Sequence, residues 1–156
     1  SWLQREQNRH DLQVVHQIGS TDWLQFQKDY QGFPSWLQSF EFLYDMPDRY
    51  RWADIVIGRA GASTVAEIAA FGKPAILIPL PGAEAHQEKN AEALAQVGAV
   101  RLLPQRELTP ERLGQEIESL RDVQVRQAMS DAVRAFFEPR SAERLAEELK
   151  DLAERV

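Results

Sequence analysis

The stretch from Ala53 to Pro79, ADIVIGRAGASTVAEIAAFGKPAILIP, leaves this chain few folds to choose from. Its first apolar run, Ile55 to Ile57, stops at Gly58-Arg59-Ala60-Gly61, and a helical run follows from Thr64 to Phe71 until Gly72-Lys73-Pro74 ends it. The next run, Ala75 to Ile78, is too short for a helix. A strand, a crossover helix and a second strand in that order form a right-handed βαβ unit on a parallel sheet. Ligands on such sheets sit beyond the carboxyl ends of the strands, where the turn Arg59 to Ser63 would lie.

A helix beginning near Thr64 would present unpaired backbone N–H groups and the positive end of its dipole, which suits an anion or sugar hydroxyls. Gly61 would let such a ligand come close to the backbone. Spacing alone leaves a second reading open, because Thr64-Val65-Ala66-Glu67 is also a capping box in which Glu67 turns back to the cap residue's own N–H. Arg59 is equally open: it can meet a phosphate, or pair with Asp54 or Glu67.

The rest of the chain repeats the alternation. Ser1 to Arg9 reads as the end of a helix, Leu12 to Gln17 as a strand ending at Gly19, and Ser20-Thr21-Asp22 as the cap of a helix running to about Tyr30. Trp23, Phe26 and Tyr30 share one face of it, as core residues. Trp36 to Phe40 is a strand, and Phe42 to Pro47 leads into a short helix through Trp52, with Pro47 in its first turn. Pro79 to Ala85 carries prolines and a glycine directly after a strand, which makes it a second loop on the same sheet edge. A helix from near His86 turns Ala91, Leu94, Ala95 and Val97 inward and ends at Gly98, and Ala99 to Leu103 is the last strand. Thr109-Pro110 caps a helix with Leu113, Ile117 and Leu120 inward. Two more helices follow, Val123 to Phe137 and Ser141 to Arg155, the second burying Leu145, Leu149, Leu152 and Val156. Five strands alternating with helices give the α/β class, a doubly wound parallel sheet with flanking helices.

With 156 residues, 44% hydrophobic and 27% charged, one globular domain spanning 1–156 is expected. A net charge of −6 without a basic block argues against nucleic acid as a partner. The absence of cysteine excludes disulfides, a thiolate nucleophile and cysteine-ligated metal, and fits a reducing cytoplasm. No stretch resembles a signal peptide or a membrane span, so a soluble chain is expected.

Five ordered motifs carry a resemblance: Val14-Val15-His16-Gln17-Ile18-Gly19; Phe42-Leu43-Tyr44-Asp45-Met46 with Ala53-Asp54; Arg59-Ala60-Gly61-Ala62-Ser63-Thr64-Val65-Ala66-Glu67; Gly72 to Pro79; and His86-Gln87 with Asn90-Ala91. Together they resemble the C-terminal donor-binding domain of the MurG family, the bacterial peptidoglycan N-acetylglucosaminyltransferases of glycosyltransferase family 28. Members are inverting enzymes of two Rossmann-like halves, the GT-B fold. The resemblance implies UDP-N-acetylglucosamine as donor substrate, no tightly bound cofactor and no metal site, with any divalent-cation requirement left open. It implies transfer to a lipid-linked muramyl pentapeptide, lipid I to lipid II, by an enzyme peripheral to the inner face of the cell membrane.

Carried over by position, the resemblance gives Leu43 a backbone contact with the uracil edge and Glu67 the ribose hydroxyls. Ala62, Ser63 and Thr64 fall at the diphosphate and His86 and Gln87 at the sugar hydroxyls, with Arg59 and Gly61 counted among the donor-binding residues and the role of Arg59 left open as above. A carboxylate accepts from two vicinal hydroxyls, and amides at a helix start neutralise phosphate, so the roles are chemically apt. The resemblance favours the ribose role over the capping role for Glu67. For His86 and Gln87 the alternative is a solvated helix start, and His16 reads as a structural histidine outside the site.

The chain also departs from the family. The loop Leu80 to Ala85 lacks the family's His after the second proline and the acidic residue before its His-Gln pair, and Ile18 stands where Thr or Ser is usual. The family's first strand and its Gly-rich loop have no counterpart, so the domain reads as N-terminally truncated. In the order 3-2-1-4-5-6 that strand lies between Leu12–Gln17 and Ile55–Ile57. Either the former moves beside the latter, or a second copy pairs with the open edge. With no acceptor domain and no catalytic residue of its own, the chain alone is expected to be inactive. It then needs an acceptor domain, in the same or a separate chain, as in a two-chain UDP-GlcNAc transferase. A sugar-nucleotide epimerase would need an acid and base that are not found, and a non-catalytic folding or interaction module is the remaining alternative.

Overall fold

The computed structural model describes residues 11–81 and 85–154. The chain divides into two compact units, Ser1–Arg49 and Tyr50–Val156. Each follows from its own sequence pattern. The helix expected over Ser1 to Arg9 lies outside the described residues.

In the first unit, β1 (Val14–Gln17) runs parallel to β2 (Leu37–Phe40) with Val14 opposite Leu37 and Gln17 opposite Phe40. Between them α1 (Ser20–Phe26) gives way to a 3-10 turn over Gln27–Tyr30. The expected cap differs by one residue: Gly19, at φ 90°, precedes the helix and no side chain caps it. A positive φ is open to glycine at little cost, so the chain turns into the helix there and Ser20 becomes its first residue. Nor do the aromatics form a core face. No α1 residue is buried, and the Tyr30 hydroxyl instead meets His16 Nδ1 at 2.6 Å. His16 thus has a side-chain partner of its own, as a structural histidine would.

Helix α2 (Met46–Trp52) opens on the Asp45 carbonyl, which accepts from Asp48 and Arg49 N–H. The second unit holds the three parallel strands β3 (Val56–Gly58), β4 (Ala75–Leu77) and β5 (Val100–Leu102) in the order β3-β4-β5. Around them run α3 (Ala62–Phe71), α4 (Ala85–Gln96), α5 (Pro110–Ser119), α6 (Val123–Arg134) and α7 (Ser141–Glu154). Ile68 of α3, Ile76 and Leu77 of β4, Leu94 of α4, and Leu103, Leu120 and Val133 are fully buried. Such side chains each stabilise the fold by roughly 1.5–3 kcal/mol through lost apolar surface.

The helix ends follow the sequence signals. Gly72 terminates α3 in the left-handed region, and the N–H of Lys73 reaches back to the Ile68 carbonyl at 3.0 Å. The Ser130 hydroxyl then donates to the Gly72 carbonyl at 2.6 Å, tying α6 to that turn. Thr109 caps α5, its hydroxyl accepting from Arg112 N–H at 3.1 Å with Pro110 in the first turn. Val97, expected inside, is 53% exposed, because the chain has left α4 and is turning at Gly98. α6 stops at Arg134, and Phe136 and Phe137 lie beyond it, exposed. The side chains of Leu145, Leu149, Leu152 and Val156 lie outside the described residues.

The expected move of the first strand beside Ile55–Ile57 is not made. All four residues of β1 are in register with β2, and no ladder joins that sheet to β3-β4-β5 among the described residues.

Candidate functional site

Two of the Gly58–Gly61 residues set the geometry of the β3–α3 turn. The β3 ladder ends at Gly58, whose carbonyl accepts from Ile78 N–H at 2.8 Å. Gly61 then takes the cap position of α3 at φ −65° and ψ 154°, so the helix starts at Ala62, two residues before the expected Thr64. Its carbonyl accepts from Val65 N–H at 3.0 Å, the first turn of the helix. Ala62, Ser63 and Thr64 therefore occupy the first three helical positions, whose N–H groups have no acceptor within the helix. A Cβ on Gly61 would meet nothing within 4 Å, so the approach to these amides is open on that side.

The earlier start of the helix removes the capping-box reading of Glu67. With Gly61 at the cap, a capping box would call on Thr64, and Glu67 lies a full turn beyond it. Its carboxylate instead takes a hydrogen bond at Oε2 from the Tyr50 hydroxyl, at 2.8 Å. Tyr50 is itself fixed: it is 5% exposed and stacks nearly flat on Phe71, the last residue of α3, at 5.2 Å and 11°. Burial first, and then the hydrogen bond and charge of Glu67, raise the Tyr50 hydroxyl far above its usual pKa, so it stays a donor. Arg51 lies over the Phe71 ring at 5.7 Å.

Arg59 does not make the expected ion pair. Its Nη1 donates to the Ile78 carbonyl at 3.1 Å and to Gln105 Oε1 at 2.7 Å, and no ion pair to Asp54 or Glu67 is found among the described residues. The guanidinium is thereby tied to the end of β4 and to the turn after β5. Asn90 Nδ2 reaches the Ala60 carbonyl at 3.4 Å from α4, a second brace on the same turn. His86 is exposed in the first turn of α4, while Gln87 Oε1 accepts from Leu80 N–H at 3.2 Å and holds the start of the second loop.

Leu43 belongs to the first unit. It is buried, and its N–H donates to Gln17 Oε1 at 2.9 Å. Its neighbours Phe42 and Tyr44 are exposed and in edge contact with each other at 4.9 Å. The second unit gathers Arg59, Gly61, Ala62, Ser63 and Thr64 at one turn, with Glu67 one to two helical turns along the same helix. Sequence reasoning missed Tyr50, Gln17 and Gln105 as partners of these residues. They stand 17, 26 and 46 positions from the groups they hold, and no periodic pattern links such separations.

The chain matches the glycosyltransferase family 28 C-terminal domain over residues 1–152. It belongs to glycosyltransferase family 28. It is 48% identical over 140 residues to the UDP-N-acetylglucosamine--N-acetylmuramyl-(pentapeptide) pyrophosphoryl-undecaprenol N-acetylglucosamine transferase of Bdellovibrio bacteriovorus, covering 89% of this chain and 39% of that protein. The similarly named protein of Nitrosococcus oceani is 42% identical over 143 residues, 90% of this chain and 40% of its own length. The crystal structure of Acinetobacter baumannii MurG superposes with a TM-score of 0.80 at 34% identity, over 90% of this chain and 41% of that one. The glycosyltransferase VinC, in complex with dTDP, gives the same TM-score at 18% identity and shares the fold. This family 28 chain thus spans about 40% of the length of the curated relatives it matches. No helix among the described residues is long and apolar enough to cross a membrane.

Proposed function

We propose that this chain holds the sugar nucleotide in a UDP-N-acetylglucosamine-dependent transferase. Glu67 takes the ribose hydroxyls, the amides of Ala62, Ser63 and Thr64 take the diphosphate, and His86 and Gln87 read the sugar. Leu43, in the first unit, carries backbone groups suited to the imide edge of uracil once its N–H is released from Gln17. Arg59 acts by bracing the diphosphate turn. The observation that carries the reading is the Glu67 carboxylate, which stands on the helix whose first amides open at the carboxyl end of β3 and is held by the buried Tyr50 of α2.

In transfer, the bond between the anomeric carbon and the diphosphate oxygen breaks, and charge develops on the departing UDP. Amides aimed at that oxygen stabilise it without reorganising, which is where such a helix start lowers a barrier. The acceptor, by the reading, is a lipid-linked muramyl pentapeptide, converted from lipid I to lipid II at the inner membrane face. Its hydroxyl proton goes to a base supplied by an acceptor domain beyond this chain. Calorimetric titration of the full-length protein with UDP tests the donor reading. Glu67→Ala weakens binding by about 1–3 kcal/mol, the cost of losing a charged hydrogen-bonding group. Equal affinity in the two proteins sinks it.

A further inference from the structure

We propose that Tyr50 is a positioning residue for the nucleotide, fixing the Glu67 carboxylate so that it meets a vicinal diol already oriented. The inference rests on the ribose reading of Glu67 and adds a residue to it.

A glutamate on an exposed helix face has three side-chain torsions to lose when it binds, and that loss is charged against affinity. Here the loss is largely met beforehand. Tyr50 has few torsions, is almost fully buried and lies flat on Phe71, and its hydroxyl reaches Glu67 Oε2 at 2.8 Å. Among the described residues, Tyr50 is the hydrogen-bond partner of Glu67. A carboxylate has about four acceptor positions on its two oxygens, so one bond from Tyr50 leaves room for two ribose hydroxyls. A tyrosine needed only to pack against Phe71 would be served as well by phenylalanine. The hydroxyl, placed against a surface carboxylate rather than in solvent, is the part that packing does not explain.

The test uses the full-length protein and two probes, UDP and 2′,3′-dideoxyuridine diphosphate, titrated calorimetrically. Tyr50→Phe keeps the ring and its stacking and removes the hydroxyl. It weakens UDP binding about three- to tenfold, the range expected for losing one pre-ordered side chain, and leaves the dideoxy probe unchanged. In a Glu67→Ala background the same substitution has no further effect on UDP. Should Tyr50→Phe destabilise the fold, Phe71→Leu loosens the ring while keeping the hydroxyl and lowers the preference for UDP over the dideoxy probe in the same sense. Three results overturn the proposal in distinguishable ways. Parent-like UDP affinity in Tyr50→Phe, with Glu67→Ala weakened, removes Tyr50 and keeps the ribose reading. Equal weakening toward both probes makes Tyr50 a packing residue only. Parent-like affinity in Glu67→Ala removes the ribose reading and the proposal with it.

Discussion

The Gln17 side-chain carbonyl accepts the Leu43 backbone N–H at 2.9 Å, so the amide that a uracil carbonyl would need is already engaged within its own unit. A primary amide resembles the imide edge of uracil, so under the proposed uracil contact Gln17 competes with the base for this N–H. Displacing it forfeits a net hydrogen bond of about 0.5–1.5 kcal/mol. Gln17→Ala therefore strengthens uridine monophosphate binding by about two- to tenfold in a calorimetric titration. Weaker binding would mean that Gln17 shapes the loop for the base instead of competing with it.

What the sequence made legible was local. The βαβ unit, the Gly72 and Gly98 turns and the Thr109 cap are each written within a few residues, where backbone conformation and hydrogen-bonding type leave little choice. The start of α3 was misjudged by two residues because Thr64 and Gly61 are both acceptable caps, and the turn from β3 decides between them. The aromatic spacing of Trp23, Phe26 and Tyr30 suggested a buried face, yet the helix breaks to a 3-10 turn after Phe26, so the three no longer share a stripe. Of the proposed site, the sequence singled out Glu67 and the start of α3. Its braces were not legible, since Tyr50, Gln105 and Gln17 act across long separations that only folding closes.

Gly72 offers a stability test. Its φ of 60° and ψ of 44° cost an alanine about 1–2 kcal/mol, and a Cβ there would press on the Arg134 side chain, which is exposed and can shift. Gly72→Ala therefore lowers the melting temperature by about 2–8 °C, and Gly72→Asn by less, since asparagine tolerates this region. Equal melting temperatures for the parent and the alanine variant would show that the turn relaxes without strain.

Arg59 can be separated from a phosphate ligand through its partner. If it acts by bracing the turn, Gln105→Ala removes one of its two hydrogen bonds and weakens UDP binding in the same direction as Arg59→Ala, by a smaller factor. Both variants then leave the salt dependence of binding close to that of the parent. A direct phosphate contact predicts otherwise: Arg59→Ala alone would lose affinity and flatten the salt dependence, because one charge pair is gone.

His16 gives a pH dependence whose sign follows from its surroundings. Burial disfavours its charged form and lowers its pKa below the ordinary 6.5, while Tyr30 keeps a hydrogen bond to Nδ1 at 2.6 Å. In mild acid the unfolded chain then binds more protons at this position than the folded one. Its contribution to stability is complete above about pH 6.5 and is lost as the pH falls through the lower folded value. The loss is expected in the unit that contains His16, so amide exchange along the Val14–Gln17 and Leu37–Phe40 ladder is the measurement. Protection falls as the pH drops below about 6.5 in the parent protein, after correction for the intrinsic exchange rate, and stays level in His16→Gln, which cannot titrate. A parallel fall in the two proteins would assign the acid sensitivity to other groups and leave His16 a packing residue.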